Sequence, residues 1–188
     1  MFGLIKSVAA RLFAIAITLS LLLPVSTLKA ATGTTTTLLP EPGLEMVGEA
    51  KLKVMFWNVY RSRLYTPDGS YQQGQRPIKL EIEYLMDIDA EDLIEKTEDE
   101  WRHLKVRNGK QPYWVATLQA MWPNIKEGDR LAIIVDEAGK SLFTHNEVPI
   151  GEITDPDFGT SFTDIWLSPN TSRPELRMAL LGKSGKGD

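Results

Sequence analysis

The chain has 188 residues, of which 24% are charged, with a formal net charge of −4 and no cysteine. This length predicts a single domain that can bury a core without disulfides. The absence of cysteine excludes thiol catalysis, thiolate-bound zinc, iron–sulfur clusters and a lipobox lipid anchor.

The first thirty residues have the pattern of a secretory signal peptide. Lys6 and Arg11 form a positive start, and an apolar run from Leu12 to Leu23 follows. Cleavage is expected after Ala30, so residues 1–30 are predicted to be removed and the protein to be periplasmic. The alternative is an uncleaved membrane anchor. Cleavage leaves 18 basic residues against 25 acidic ones, about −7 in net charge, which argues against nucleic acid or an anionic membrane as the main partner.

Strand patterns dominate the first half of the chain. Residues 31–43 are rich in threonine and predict a flexible lead-in to one domain at residues 44–182. Leu44–Val59 is strand-like, with apolar residues first on one face and later on both, which predicts a strand that becomes covered halfway along. Residues 66–70 (TPDGS) predict a turn. The alternation at residues 78–84 (IKLEIEY) predicts a strand with one solvated face, typical of an antiparallel sheet.

Two helices are predicted next. Asp89 is a candidate N-cap followed by acidic residues, and apolar residues up to Trp101 keep helical spacing for about three turns. Pro112 fits the first turn of a second helix, whose apolar stripe includes Trp114 and Leu118.

Three further strands and two short helices complete the pattern. Strands are predicted at residues 131–135, 142–145 and 148–153, with a hairpin turn containing Gly139 between the first two. Helices are predicted within residues 157–167 and 173–181, followed by a tail at residues 183–188. Strands, two helices, strands and two helices indicate the α+β class, with an antiparallel sheet covered by helices on one face.

Catalytic and metal-binding motifs are weak. The segment from His145 to Ser168 combines a histidine, several carboxylates and Ser161, but its spacing favours a hairpin turn, a strand and a helix capped by Asp155. His103 and His145 are the only histidines, and neither has a second one nearby to build a metal site. We expect no metal and no cofactor.

The tryptophans carry the more informative signal. Trp57, Trp101 and Trp114 fall on the apolar faces of the predicted elements. They are either core aromatics or the lining of an apolar cavity between the sheet and the helices. Lys53 is either a surface lysine or the counter-ion for a carboxylate head group.

An ordered set of segments resembles the bacterial chalcone isomerase-like family and covers nearly all of residues 44–182. The segments are LKVMFWNVYRSRLY (52–65), LEIEYLMDIDAEDLIEKTEDEW (80–101), GDRLAIIV (128–135) and FTHNEVPIGEITDPDFGTSFTDIWLSPNTSRPELRMALLG (143–182). The resemblance implies an open-faced β-sandwich, in which a large antiparallel sheet has helices packed on one face.

The resemblance also implies that chalcone isomerase activity is lost. The position of the catalytic threonine of the plant enzymes corresponds to Met55, whose thioether cannot donate a hydrogen bond to a ketone. A later Ser/Thr position falls near Asp164, whose negative charge would oppose a developing enolate. Non-enzymatic members of the wider superfamily bind fatty acids.

These observations favour an exported, non-catalytic protein that binds a fatty-acid-like molecule in the cleft between sheet and helices. The residues expected to contact it are Lys53, Trp57, Tyr60, Trp101 and Trp114. One alternative is an isomerase or lyase acting on another enone-like or lipid substrate, with Tyr60, Lys53 or His103 as acid–base groups. Another is an interaction protein whose cleft is filled by the tryptophans. The oligomeric state is not predicted.

Overall fold

The computed structural model describes residues 43–183. The predicted signal peptide, the lead-in up to residue 42 and the tail from residue 184 lie outside these residues. The described elements are β1 (Glu45–Val54), β2 (Trp57–Thr66), β3 (Ile78–Tyr84), α1 (Ala90–His103), α2 (Gln111–Met121), β4 (Arg130–Val135), β5 (Ser141–His145), β6 (Val148–Ile153), α3 (Pro156–Leu167) and α4 (Pro174–Leu180). None of these helices is long and apolar enough to cross a membrane.

The six strands form one antiparallel sheet in the order β1-β2-β3-β4-β5-β6. Every neighbouring pair is antiparallel, so the sheet is a simple meander with α1 and α2 inserted between β3 and β4. The predicted α+β class, with helices packed on an antiparallel sheet, is confirmed.

Strand alternation decides which face of the sheet is buried. On β3, Ile78, Leu80, Ile82 and Tyr84 are buried on the side where the helices pack, as the sequence alternation predicted. On the other face, Lys79 and Glu83 alternate with them and remain half-buried. The core therefore lies between one sheet face and the four helices, and we call the opposite face the open face.

Local signals explain where the helices begin. Asp89 precedes α1 at the predicted N-cap position, in an extended conformation and with acidic residues in the first turn, but its side chain makes no capping hydrogen bond. Asp155 caps α3, because its side chain accepts a hydrogen bond from the backbone N–H of Asp157. A proline stands in the first turn of α2, α3 and α4, where its missing N–H has no intrahelical partner to lose.

One predicted element is wrong. The strand expected to run through to Val59 instead ends at Val54, and the chain reverses through Met55–Phe56 into β2. Val54 pairs with Trp57, so the loop has only two residues. Turns of this length favour Gly, Asn or Asp because they require positive φ, and here Met55 adopts φ 55°. The apolar run that predicted a covered strand therefore forms the end of a hairpin.

Candidate functional site

Trp101 and Trp114 lie in the centre of the core. Their exposed fractions are 1% and 0%, and their ring centroids are 5.7 Å apart in an edge-to-face arrangement. The indole N–H of Trp101 donates to the backbone carbonyl of Ser161 at 2.9 Å, and that of Trp114 donates to the Asp155 carboxylate at 3.0 Å. Both side chains are thus fully packed with their polar edges satisfied, which matches core aromatics rather than the wall of an open cleft.

Other aromatic rings fill the rest of this layer. Neighbouring centroids are 5.5–6.3 Å apart, mostly in edge-to-face contact. The rings that join the two tryptophans are Trp122, Phe143, Phe158, Phe162 and Trp166. The middle of the sheet–helix layer is therefore occupied by the protein's own side chains.

Lys53 and Trp57, in contrast, are exposed to solvent at the end of the β1–β2 hairpin. Both are exposed, Trp57 to 71%. Lys53 pairs with Asn58, and Val54 pairs with Trp57. Along β1, Lys53 follows Leu52, which faces the helices with its partner Tyr60, so Lys53 projects from the open face and Val54 from the helix side. Trp57 pairs with Val54 and so shares the helix side, because the register shift between Leu52 and Lys53 leaves Val59 as an extra residue on β2. The structure therefore does not bring Lys53 and Trp57 together with Trp101 and Trp114 in one cleft.

Tyr60 is the predicted contact that lies at a half-buried end of the sheet–helix layer. Its hydroxyl accepts a 3.0 Å hydrogen bond from the indole N–H of Trp166. Its ring meets that of Tyr84 on the neighbouring strand, edge to face, at 6.3 Å. Burial raises the pKa of Tyr60 to about 12, against the lowering effects of the Trp166 hydrogen bond and the Arg173 charge. The phenol is consequently neutral at physiological pH.

Two charged residues lie within electrostatic range of this phenol. The negative charge of Glu100 raises the pKa of Tyr60, and the positive charge of Arg173 lowers it. Glu100 is buried, and one carboxylate oxygen is 2.6 Å from the ammonium of Lys96. Its other oxygen, also buried, has no hydrogen-bond partner among the described side chains. Arg173 is exposed, just before α4.

We call Tyr60, Tyr84, Glu100 and Trp166 the Tyr60 cluster. Sequence reasoning assigned Tyr84 and Trp166 no role in a site. It missed Glu100 and Arg173 altogether. Only the fold brings β2, β3, α1 and α3 together here, because these residues are separated by up to 106 positions in the chain.

The acid–base groups considered for catalysis have different surroundings. Tyr60 is a poor proton acceptor near neutral pH because its pKa is far above the working range of a general base. Lys53 projects from the opposite face of the sheet. His103 is exposed and its Nε2 lies 3.1 Å from the backbone carbonyl of Asn170. Lys53 and Tyr60 therefore lie on opposite faces of the sheet.

Met55 and Asp164, the positions that the resemblance set against catalytic hydroxyls, also lie apart. Met55 is 79% exposed in the hairpin turn. Asp164 is on α3, and its carboxylate accepts a 2.7 Å hydrogen bond from Gln73. Burial raises the pKa of Asp164, against the lowering effect of that hydrogen bond.

His145 has a structural partner. Its Nε2 is 3.1 Å from the carboxylate of Asp129, in the turn before β4. Hydrogen bonds from the Asn146 amide, the Lys126 backbone N–H and His145 lower the pKa of Asp129 to about 2, although burial opposes them. The pair therefore ties the β5–β6 turn to the start of β4. Across residues 43–183, no group of three or more His, Cys, Asp or Glu residues is placed to hold a metal ion.

The open face of the sheet carries an ion-pair network. Arg63 on β2 contacts Glu49 on β1 at 2.7 Å, and Glu81 and Glu83 on β3 at 3.2 and 2.9 Å. Burial lowers the pKa of Arg63, but its hydrogen bonds to these carboxylates outweigh that effect and raise it. Arg61 adds ion pairs to Glu49 and Glu83. This face is therefore polar where it crosses the first three strands.

Two surface depressions of about 340 Å³ each flank Arg76. One lies between α3 and the loop before α2, and the other is formed by the loop between β2 and β3. Neither includes a predicted contact residue or a member of the Tyr60 cluster. Their polar linings do not suit an apolar ligand.

Comparison with known proteins gives a consistent set of likenesses. A protein of Haemophilus influenzae, described as uncharacterised, is 28% identical over 138 residues, covering 73% of this chain and 68% of that protein. The crystal structure of a fatty-acid binding protein of Arabidopsis thaliana superposes with a TM-score of 0.59, covering 76% of this chain and 89% of that chain. Its sequence identity is 10%, so this likeness concerns the fold.

The family comparison spans most of the chain. The model of the family described as "Chalcone isomerase-like" matches residues 27–182. This range contains all the strands and helices described above. The resemblance inferred from the ordered segments is thereby confirmed, and the chain belongs to the chalcone isomerase-like family.

Proposed function

We propose that the protein is a non-catalytic member of this family that binds a fatty-acid-like molecule at the Tyr60 end of the sheet–helix layer. The observation that carries the proposal is a half-buried strip of Leu52, Tyr60 and Trp166 beside an exposed arginine, Arg173. An apolar tail fits against such a strip, and a carboxylate fits beside the cation.

The packing of the core limits where the tail can lie. The rings around Trp101 and Trp114 already fill the centre of the layer. Leu52 pairs with Tyr60 on the neighbouring strand, so both side chains face the helices. The tail would therefore run along these residues towards Trp57, which projects on the same side farther along the hairpin.

The head group would meet Arg173 and the phenol of Tyr60. Arg173 forms no ion pair with a carboxylate among residues 43–183. The Tyr60 oxygen accepts from Trp166, which leaves the phenolic hydrogen to donate to a carboxylate. The negative charge of Glu100 does not prevent a carboxylate from binding here, because the ammonium of Lys96 lies 2.6 Å from a Glu100 carboxylate oxygen and balances its charge.

Two further observations support the proposal. The fold is shared with a fatty-acid binding protein, and Lys53 and Tyr60, two of the candidate acid–base groups, lie on opposite faces of the sheet. The positive start and apolar run of residues 1–30 support export to the periplasm, where such a protein would meet lipids shed from either membrane.

The proposal is tested by mass spectrometry and thermal unfolding of the purified full chain. Native mass spectra are expected to show co-purified fatty acid. Added palmitate at about one hundred times its dissociation constant should stabilise the fold by about 2.7 kcal/mol, which raises Tm by roughly 5–10 °C. Arg173→Gln should reduce this shift, while Arg107→Gln, another exposed arginine, should leave it unchanged.

A lipid-free protein whose Tm ignores palmitate and shorter or longer fatty acids would contradict the proposal. That result would favour the interaction protein without a ligand. A shift that survives Arg173→Gln and Tyr60→Phe unchanged would instead place the ligand elsewhere on the protein.

A further inference from the structure

Four consecutive apolar residues form the end of the β1–β2 hairpin and are open to solvent. We call Val54–Trp57 the hairpin tip. The exposed fractions are 38% for Val54, 79% for Met55, 94% for Phe56 and 71% for Trp57. Isolated exposed apolar side chains are ordinary, but four in a row with two aromatic rings indicate a contact surface.

The hairpin tip extends beyond the rest of the sheet. β3 ends at Tyr84, which pairs with Tyr60, so within the sheet residues 53–58 are paired only between β1 and β2. Met55 takes φ 55° in the two-residue turn, a position where glycine avoids strain. A large thioether is thus held at the most prominent point of a narrow projection.

Two lysines adjoin the hairpin tip. Lys51 and Lys53 are exposed on β1 and pair with no carboxylate among residues 43–183. The nearest acid along the strand, Glu49, is taken up by Arg61 and Arg63 at 3.4 and 2.7 Å. Glu83 on β3 is likewise paired with both arginines, so the hairpin end presents positive charge despite the negative charge of the chain.

From these contacts we infer that the hairpin tip inserts into the surface of an anionic phospholipid bilayer. Trp57 and Phe56 would lie at the level of the head groups and upper acyl chains, where aromatic side chains are favoured. Lys51 and Lys53 would meet the lipid phosphates. A second copy of the chain is a poorer occupant, because a twofold contact would bring the same lysines together. The inference does not depend on fatty-acid binding.

The decisive test is quenching of Trp57 by brominated lipid. The full chain is mixed with vesicles of brominated phosphatidylglycerol and phosphatidylethanolamine, and its fluorescence is compared with that of Trp57→Phe. The difference between the two isolates the Trp57 emission, whatever the N-terminal apolar run does. Trp57 emission is expected to be quenched, and more weakly in 0.5 M salt or with zwitterionic lipid.

Flotation with the same vesicles measures the individual contributions. Phe56→Ser should lower the partition coefficient about tenfold, whereas Val148→Ser, an exposed apolar residue on β6, should not change it. Replacing Lys51 or Lys53 with glutamine should lower the partition coefficient roughly fivefold for each lysine. Lys105→Gln, an exposed lysine after α1, provides the charge control.

Two results would overturn the inference. One is equal quenching of the wild type and Trp57→Phe, which would mean that Trp57 does not reach the lipid. The other is concentration-dependent self-association without lipid that Phe56→Ser abolishes, which would assign the hairpin tip to a second copy of the chain.

Discussion

Replacing Trp114 with phenylalanine distinguishes a core tryptophan from a ligand contact. Trp114 is completely buried, and its indole N–H donates to Asp155 at 3.0 Å. Phenylalanine removes part of the ring volume and this hydrogen bond to a charged group. Asp155 still accepts hydrogen bonds from Lys110 and from the Asp157 N–H, so its carboxylate is not left without a partner. The expected loss is roughly 2–4 kcal/mol.

Urea unfolding followed by circular dichroism measures this loss. With a slope of about 2 kcal/mol/M, the midpoint should fall by about 1–2 M. Tyr113→Phe, on the same helix but 62% exposed, should change the free energy of unfolding by less than about 0.5 kcal/mol. A Trp114→Phe protein as stable as the wild type but with weaker palmitate binding would refute the core assignment.

Two further substitutions test contacts that stabilise the fold away from the Tyr60 cluster. Hydrogen bonds, foremost from Asn146, hold the pKa of Asp129 at about 2, below its unfolded value, so its carboxylate stabilises the fold above about pH 4 and loses this effect as the pH falls towards 2. Asp129→Asn should therefore lower the urea midpoint clearly at pH 7, by about half as much at pH 3, and very little near pH 2. Gly48→Ala would place a Cβ 2.7 Å from the carbonyl oxygen of Leu180, so roughly 1–3 kcal/mol should be lost in thermal or urea unfolding, against no loss for Gly109→Ala, where nothing lies within 4 Å.

Most of the fold follows from local patterns in the sequence. The alternation at residues 78–84 marks a strand that is covered on one face only, and the structure has that strand at Ile78–Tyr84. The segment from His145 to Ser168 likewise forms a turn, a strand and a capped helix, with Asn146 and Glu147 both at positive φ. These elements are specified by neighbours in the chain, so sequence reasoning could reach them.

The β1–β2 turn and the Tyr60 cluster could not be predicted from local sequence patterns. Met55 and Phe56 lack the turn chemistry of Gly or Asn, and the two-residue turn is set by pairing of β1 with β2. The contact between Tyr60 and Trp166 joins a strand to a helix 106 residues later. The solvent exposure of Val54–Trp57 could not be predicted either, because an apolar residue in a strand gives the same sequence pattern at a buried position and at a projecting hairpin end.

The charges on the two sheet faces decide which side can receive an apolar molecule. On the open face, Arg63 is held by three carboxylates from β1 and β3, and covering these groups with a hydrocarbon tail would remove their contact with water at a cost of several kcal/mol. On the helix side, the strip from Tyr60 to Trp166 presents an apolar surface with one phenol and one indole already hydrogen-bonded to each other. The lower desolvation cost therefore favours the helix side for the tail of a fatty acid. For the same reason, Lys53, on the open face, is expected to be a weaker counter-ion for such a ligand than Arg173.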